Sequence, residues 1–192
     1  MDNAADNWPR MQLEPIGRVC SEIRMPMPPA GESDREPGHR LDKIRQYHEK
    51  VMHGVCQLII FPQWQELLDG IEGFSHILVL YWPHLLDPQR RCVRRVHPMG
   101  RKDLPSQGVF ATCSPARPNP VLVSTVRLVG RRGNVLDVAS LDAVDGSPII
   151  DIKPYVPISH GAEHPTLAAW MEQIHRELGI DVTIDRPGLK EY

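Results

Sequence analysis

The sequence predicts a mainly β fold, a small sheet closed or folded on itself with a few helices beside it. Three observations lead there. Nineteen prolines in 192 residues argue against long helices, because proline removes an amide donor and breaks helix interiors. Six short apolar runs, at 55–61, 76–82, 108–112, 121–129, 135–140 and 149–153, are each bounded by Gly, Pro, Asp or Asn, which is the pattern of an all-β domain. Helical periodicity is confined to short stretches beside and after these runs.

The length suits one domain with a small appendage. With 41% hydrophobic and 24% charged residues, the composition is that of an ordinary globular protein. We divide the chain into a tail (1–12), a β domain (13–160) and an extension of one helix and one strand (161–192).

Taken in order, residues 26–40 read as a proline-rich polar loop, either mobile or a binding loop. Leu41, Ile44, Tyr47 and Val51 recur at helical spacing. Trp64, Leu67 and Leu68 suggest a short helical turn ended by Gly70. "GRRGN" (130–134) reads as a tight hairpin, since Gly133 and Asn134 tolerate positive φ, so the strands on either side should pair antiparallel. In "PTLAAWMEQIHRELG" (165–179), Leu167, Trp170, Met171, Ile174 and Leu178 form an apolar stripe between Pro165 and the terminating Gly179. "IDVTI" (180–184) looks like a last strand.

A formal charge of −2 excludes a polycation that holds nucleic acid by bulk attraction, so any RNA contact must be local. The four cysteines, Cys20, Cys56, Cys92 and Cys113, form no C-x-x-C pair. Free thiols in a reducing cytoplasm are therefore the better reading, and no metal is expected. "MDNAADNWPR" lacks a basic-then-apolar signal, and the longest apolar run, 77–82, is far too short to span a bilayer. A cytoplasmic protein without membrane contact is expected.

Three segments offer chemistry. "DGIEGFSHILVLYWPH" (69–84) ends an apolar strand in Tyr81, Trp82 and His84, which is either a ligand site at a strand end or a core strand with a surface histidine. In "GVFATCSPARPNP" (108–120), Pro115, Pro118 and Pro120 stiffen the backbone around Arg117 and Asn119. That loop either presents them to an anion or base edge, or is a rigid turn whose arginine caps a carboxylate. In "SLDAVDGSPIIDIKPYVP" (140–157), strand alternation puts Asp151, Lys153 and Tyr155 on one face and Ile150 and Ile152 on the other. With Asp142 and Asp145 nearby, that face could do acid/base work, or its charges could simply neutralise one another. Between 90 and 102, Arg90, Arg91, Arg94, Arg95, Arg101 and Lys102 occur with no acidic residue, a patch suited to phosphates.

"PIGRV" (15–19), "GIEGFSHILVLYWPH", "VHPMGRKDLPSQGVFATCSPARPNP" and "LDAVDGSPIIDIKPYVP" together resemble the TsaA-like family of tRNA methyltransferases. The resemblance implies a small antiparallel β-barrel, a homodimer, and S-adenosylmethionine bound outside any Rossmann framework. No G-x-G-x-x-G follows a strand here. It also implies methylation of the exocyclic nitrogen of threonylcarbamoyladenosine next to the tRNA anticodon. Family cofactor contacts would fall on His84, Leu85, Cys113, Val123, Ala139, Ser140, Leu141 and Asp142, to which the loop adds Arg117 and Asn119. The family commonly has arginine where Cys113 stands, and cysteine cannot replace that five-donor cation.

From these expectations we take Asp145 or Asp151 as base, with Lys153 and Tyr155 orienting the acceptor, Tyr81 or Trp82 stacking on a splayed base, and the basic patch meeting RNA phosphates. A divergent methyltransferase of a small molecule and a non-catalytic binding module are the alternatives.

Overall fold

The computed structural model describes residues 11–27 and 37–180. They form two compact units that interleave along the chain. The first takes 11–26, 54–86 and 120–155; the second takes Met27, 37–53, 87–119 and 156–180. The 13–160 domain read from sequence therefore contributes to both.

The first unit is a closed antiparallel barrel of six strands in the order β1-β2-β7-β6-β3-β8. These are β1 (Gly17–Cys20), β2 (Val55–Ile60), β3 (His76–Tyr81), β6 (Leu122–Arg132), β7 (Val135–Ala139) and β8 (Pro148–Pro154). Alternate residues point inward, as the pleat requires, so Val19, Leu58, Ile77, Val79, Leu136, Val138 and Ile149 are fully buried. Each such side chain contributes about 1.5–3 kcal/mol. Five of the six strands coincide with predicted runs. The sixth, β1, is short and begins with glycine, so it gives no apolar alternation to read. β6 pairs with β3 through its first half and β7 through its second, with a register shift between Leu128 and Gly130. A bulge of that kind bends a strand enough to serve two partners. The β6–β7 turn uses positive φ only at Gly133. Asn134 instead donates its side-chain amide to the Ile60 carbonyl (2.5 Å) and accepts the Ile60 N–H at its own carbonyl (2.9 Å). The predicted turn before Gly70 is a 3₁₀ segment, Pro62–Leu68, and Gly70 has φ 86°. Arg131 donates to the Leu68 carbonyl and pairs with Asp69 and Glu72.

The second unit contains α1 (Pro37–His53), the two-stranded sheet β4 (Arg95–Val96) with β5 (Gln107–Gly108), α2 (Pro157–His160) and α3 (Ala169–Leu178). The helix α1 starts inside the region read as loop, with proline tolerated in its first turn because that amide has no helical partner. Ile44 and Ile174 are its buried apolar anchors and those of α3. α3 starts later than the apolar stripe suggested: Ala168 is extended and Leu167 lies outside the helix, 41% exposed. Gly179, at φ 69°, closes it, and the Ile180 N–H donates to the His175 carbonyl, a Schellman arrangement. Arg101 is only 6% exposed and pairs with Asp103 and Glu177, while Arg45 donates to the Glu177 carbonyl. The "GVFAT" run is not a strand beyond Gly108, the end of β5: Val109–Ala111 form a 3₁₀ turn. The predicted strand at 180–184 lies outside the described residues beyond Ile180. Among the described residues no helix is long and apolar enough to cross a membrane.

Candidate functional site

At the end of the barrel where β3 stops, the inward register turns polar. Ser124 opposes Val79, and Leu122 opposes Tyr81, so Leu122, Ser124 and Val126 share the interior with Ile77, Val79 and Tyr81. Across the sheet, β7 ends at Ala139, and the φ of 64° at Ser140 turns the backbone out of the strand, with the Ser140 N–H donating to the Gly54 carbonyl (3.1 Å). Leu141, 1% exposed, anchors the departing chain. Asp142 follows. Tyr81 is 2% exposed, yet its hydroxyl donates to Asp142 Oδ1 at 2.5 Å. Ser124 Oγ donates to the same oxygen at 2.9 Å. Two hydroxyls from the barrel interior thus hold one oxygen of an exposed carboxylate, and among the described residues no donor meets Oδ2.

His84 and Leu85, just beyond β3, are exposed. The His84 ring lies 3.4 Å from the hydroxyl of Ser147, itself 1% exposed. Gly146 has φ 78°, and a Cβ there would sit 3.7 Å from His84 Nε2. Asp145 accepts the Ser21 N–H (3.0 Å) and pairs with Arg24. Of the implied cofactor contacts, Ala139 and Leu141 have buried side chains, so they can offer a ligand little more than backbone. Val123 is 57% exposed and points away from the interior.

The acid/base candidates are spread along β8. The register shifts between Leu80 and Tyr81: Leu80 opposes Asp151 and Tyr81 opposes Ile149. Ile150 is the extra residue of the bulge. Ile149 therefore faces the core, where simple alternation had put Ile150. Asp151 and Lys153 lie on the outer face, as expected, and pair at 2.6 Å. Asp151 also accepts the Ile152 N–H at 2.9 Å. Tyr155 bonds through its N–H to His76 at the start of β3 (3.0 Å), about 17 Å from the strand's other end at 3.3 Å per residue. It is not part of the group around Asp142. Nor does Tyr81 offer a stacking face, because its ring is buried in the barrel.

In the second unit, the proline loop behaves differently from both sequence readings. Arg117 Nε donates to the Ser114 carbonyl (2.8 Å), and Nη2 donates to those of Thr112 and Val109. The guanidinium ties its own loop rather than facing an anion or a carboxylate. These bonds, with Thr112 Oγ1 donating to Val109 O at 2.9 Å, occupy the carbonyls a strand would need. That is why the apolar run coils. Cys113 and Asn119 are exposed. In the basic patch Arg90, Arg94 and Lys102 are exposed, and Arg95 donates to the Ser106 carbonyl (2.5 Å). Arg91 and Arg94 line an open cleft of about 670 Å³ with Phe110 and Pro118. Arg101 leaves the patch, since its guanidinium is buried. Hydrogen bonds to Asp103 and then Glu177 raise its pKa, and the same bonds lower those of the two carboxyls. Among the described residues no cluster of His, Cys, Asp and Glu could hold a metal ion.

Sequence reasoning missed Ser124 and the role of the Tyr81 hydroxyl. The signal was available: in "LVSTV", Ser124 has the same parity as two apolar neighbours, so a hydroxyl stood in an inward register.

A closed barrel of this kind is met in known proteins. The sequence profile of the tRNA-methyltransferase O N-terminal domain matches residues 45–160, and the chain belongs to that family. It is 52% identical over 99 residues to a probable S-adenosyl-L-methionine-binding protein of Methanothermobacter thermautotrophicus, covering 52% of this chain and 68% of the relative. It is 44% identical over 103 residues to an S-adenosyl-L-methionine-binding protein of Archaeoglobus fulgidus, covering 54% and 70%. The fold is similar to a crystal structure of TrmO (TM-score 0.60, 26% identity, covering 82% of this chain and 63% of that one) and to TrmO from Pseudomonas aeruginosa (0.57, 27%, 82% and 61%). The chain thus spans about three fifths of those two structures, and 61% of a matching Pyrococcus abyssi relative.

Proposed function

We propose that the protein binds S-adenosylmethionine beside Asp142 and methylates the exocyclic nitrogen of threonylcarbamoyladenosine next to the anticodon of a tRNA. Family membership over residues 45–160 is the observation that carries this reading, and the names of the archaeal relatives support the cofactor. The residues at the barrel end fit such a ligand. Its hydroxyl and ammonium groups are donors, and Asp142 offers a carboxylate oxygen that, among the described residues, no donor meets.

The cofactor supplies a methyl group on a sulfonium, transferred by in-line displacement. The chain must align the acceptor and exclude water. Asp151 is our candidate to take the proton the acceptor nitrogen loses. Its pair with Lys153 lies on a solvated face, with the two side chains 42% and 55% exposed, where such contacts are worth about 1 kcal/mol or less. Asp145 is the more buried carboxylate and holds Ser21 and Arg24 in place. Arg90, Arg91, Arg94 and Lys102 would meet RNA phosphates. The reading includes a homodimer in the cytoplasm.

Incubating the protein with methyl-labelled S-adenosylmethionine and tRNA bearing the modified adenosine, then analysing nucleosides by mass spectrometry, tests it. We expect that nucleoside to gain one labelled methyl. Asp151→Asn should abolish the gain while cofactor affinity stays within about twofold. A cofactor that binds while no tRNA nucleoside is labelled would sink the tRNA reading. Cys113, exposed where the family commonly has arginine, favours a binding module as the second reading.

A further inference from the structure

Tyr81 is a core residue by exposure and a polar one by chemistry, and its hydroxyl needs a partner. That partner, Asp142, is otherwise exposed, and Ser124 meets the same carboxylate oxygen. The Tyr81 and Ser124 oxygens are themselves 3.3 Å apart, so the three groups form a closed triangle at the barrel end. Phenylalanine and alanine would fill the same inward positions without burying a hydroxyl. The triangle holds Oδ1 of the exposed Asp142 and leaves Oδ2 without a donor among the described residues, so a ligand would meet a carboxylate already steadied by two strand-borne hydroxyls.

We propose that Tyr81 and Ser124 are positioning residues: acting through Asp142, they aim Oδ2 at an O–H or N–H donor of the bound cofactor. This rests on the cofactor reading above. It adds two residues that touch no ligand and yet set its affinity. A carboxylate released from both hydroxyls would rotate among several rotamers, and binding would then have to restore the lost order.

The experiment is a calorimetric titration of the full chain with S-adenosylmethionine and with S-adenosylhomocysteine, which cannot be turned over. Tyr81→Phe and Ser124→Ala should each weaken both ligands by on the order of tenfold, and Ser124→Thr, which keeps the hydroxyl, should restore affinity to within about threefold. The decisive arm is the Asp142→Asn background. If Tyr81 acts through Asp142, adding Tyr81→Phe there should cost less than about twofold more. Additive losses, or single variants that bind like the parent while folding normally, would overturn the proposal. Thermal unfolding of each variant separates lost aim from lost fold. No binding of either ligand to the parent protein would instead sink the cofactor reading, a distinct failure.

Discussion

At Gly17 the barrel has no room for a side chain. A Cβ built there would lie 2.4 Å from the Ile59 carbonyl oxygen and 2.9 Å from the Ile60 Cα, both backbone atoms that cannot swing aside. Gly17 starts β1, pairs with Ile60 on one side and Ile149 on the other, and so closes the barrel seam. Gly17→Ala should therefore cost about 1–3 kcal/mol or more in denaturant unfolding, the range for overpacking. Nothing in the apolar pattern marks this residue. Its importance comes from two strands that approach from elsewhere in the chain. Arg101 gives the converse lesson. In sequence it is one of six basic residues in a run without acids, but Glu177 lies 76 positions away, and only folding reveals that the charge is already spent.

At the scale of elements, the Arg101 cluster ties α3 to the 101–103 loop, and its acid response follows from the sign of the carboxyl shifts. Glu177 has its pKa lowered, chiefly by the hydrogen bond from Arg101, and Asp103 is shifted the same way for the same reason. Groups depressed by folding stabilise the protein fully above their unfolded values, about 4, and lose that contribution as pH falls through the lower folded values. Glu177→Gln should thus destabilise the protein by about 1–2 kcal/mol at pH 7. The difference from the parent in thermal unfolding should shrink as pH is brought from 5 to 3. A gap that stays constant over that range would refute the assignment. Among the elements themselves, β2, β3, β6, β7, β8, α1 and α3 were legible because each carries its own period. The 108–112 run was misread because its carbonyls are claimed by Thr112 and Arg117, a competition that apolar periodicity does not register. The bulge at Ile150 was equally invisible, since it depends on the register with β3.

For the whole molecule, a net charge of −2 means that any RNA affinity has to come from a local surface, and burial decides which cations belong to it. Arg90 and Arg94 are exposed; Arg101 is not. Replacing both Arg90 and Arg94 with Gln should lower the slope of log affinity against log salt by roughly 1–2 for tRNA, measured by filter binding, whereas an unchanged slope would remove them from the interface. The family resemblance, carried by four stretches of sequence, made the barrel legible. The grouping of Tyr81, Ser124 and Asp142 was not, because it joins residues from separate strands through hydroxyls that look like ordinary core and surface members of their runs.

The bulge in β8 also bears on how this fold can diverge. Exchanging one amino acid for another leaves each position of the strand on its own side of the wall, so chemistry there drifts freely. Losing Ile150 would leave Ile149 opposite Tyr81 and Asp151 opposite Leu80 in an unbroken ladder, with Lys153 still outside, whereas losing a residue from the paired stretch beyond it would swap the wall's two sides for the rest of the strand. Descendants of this chain are therefore free to vary the identity of these residues, and their number only at the bulge.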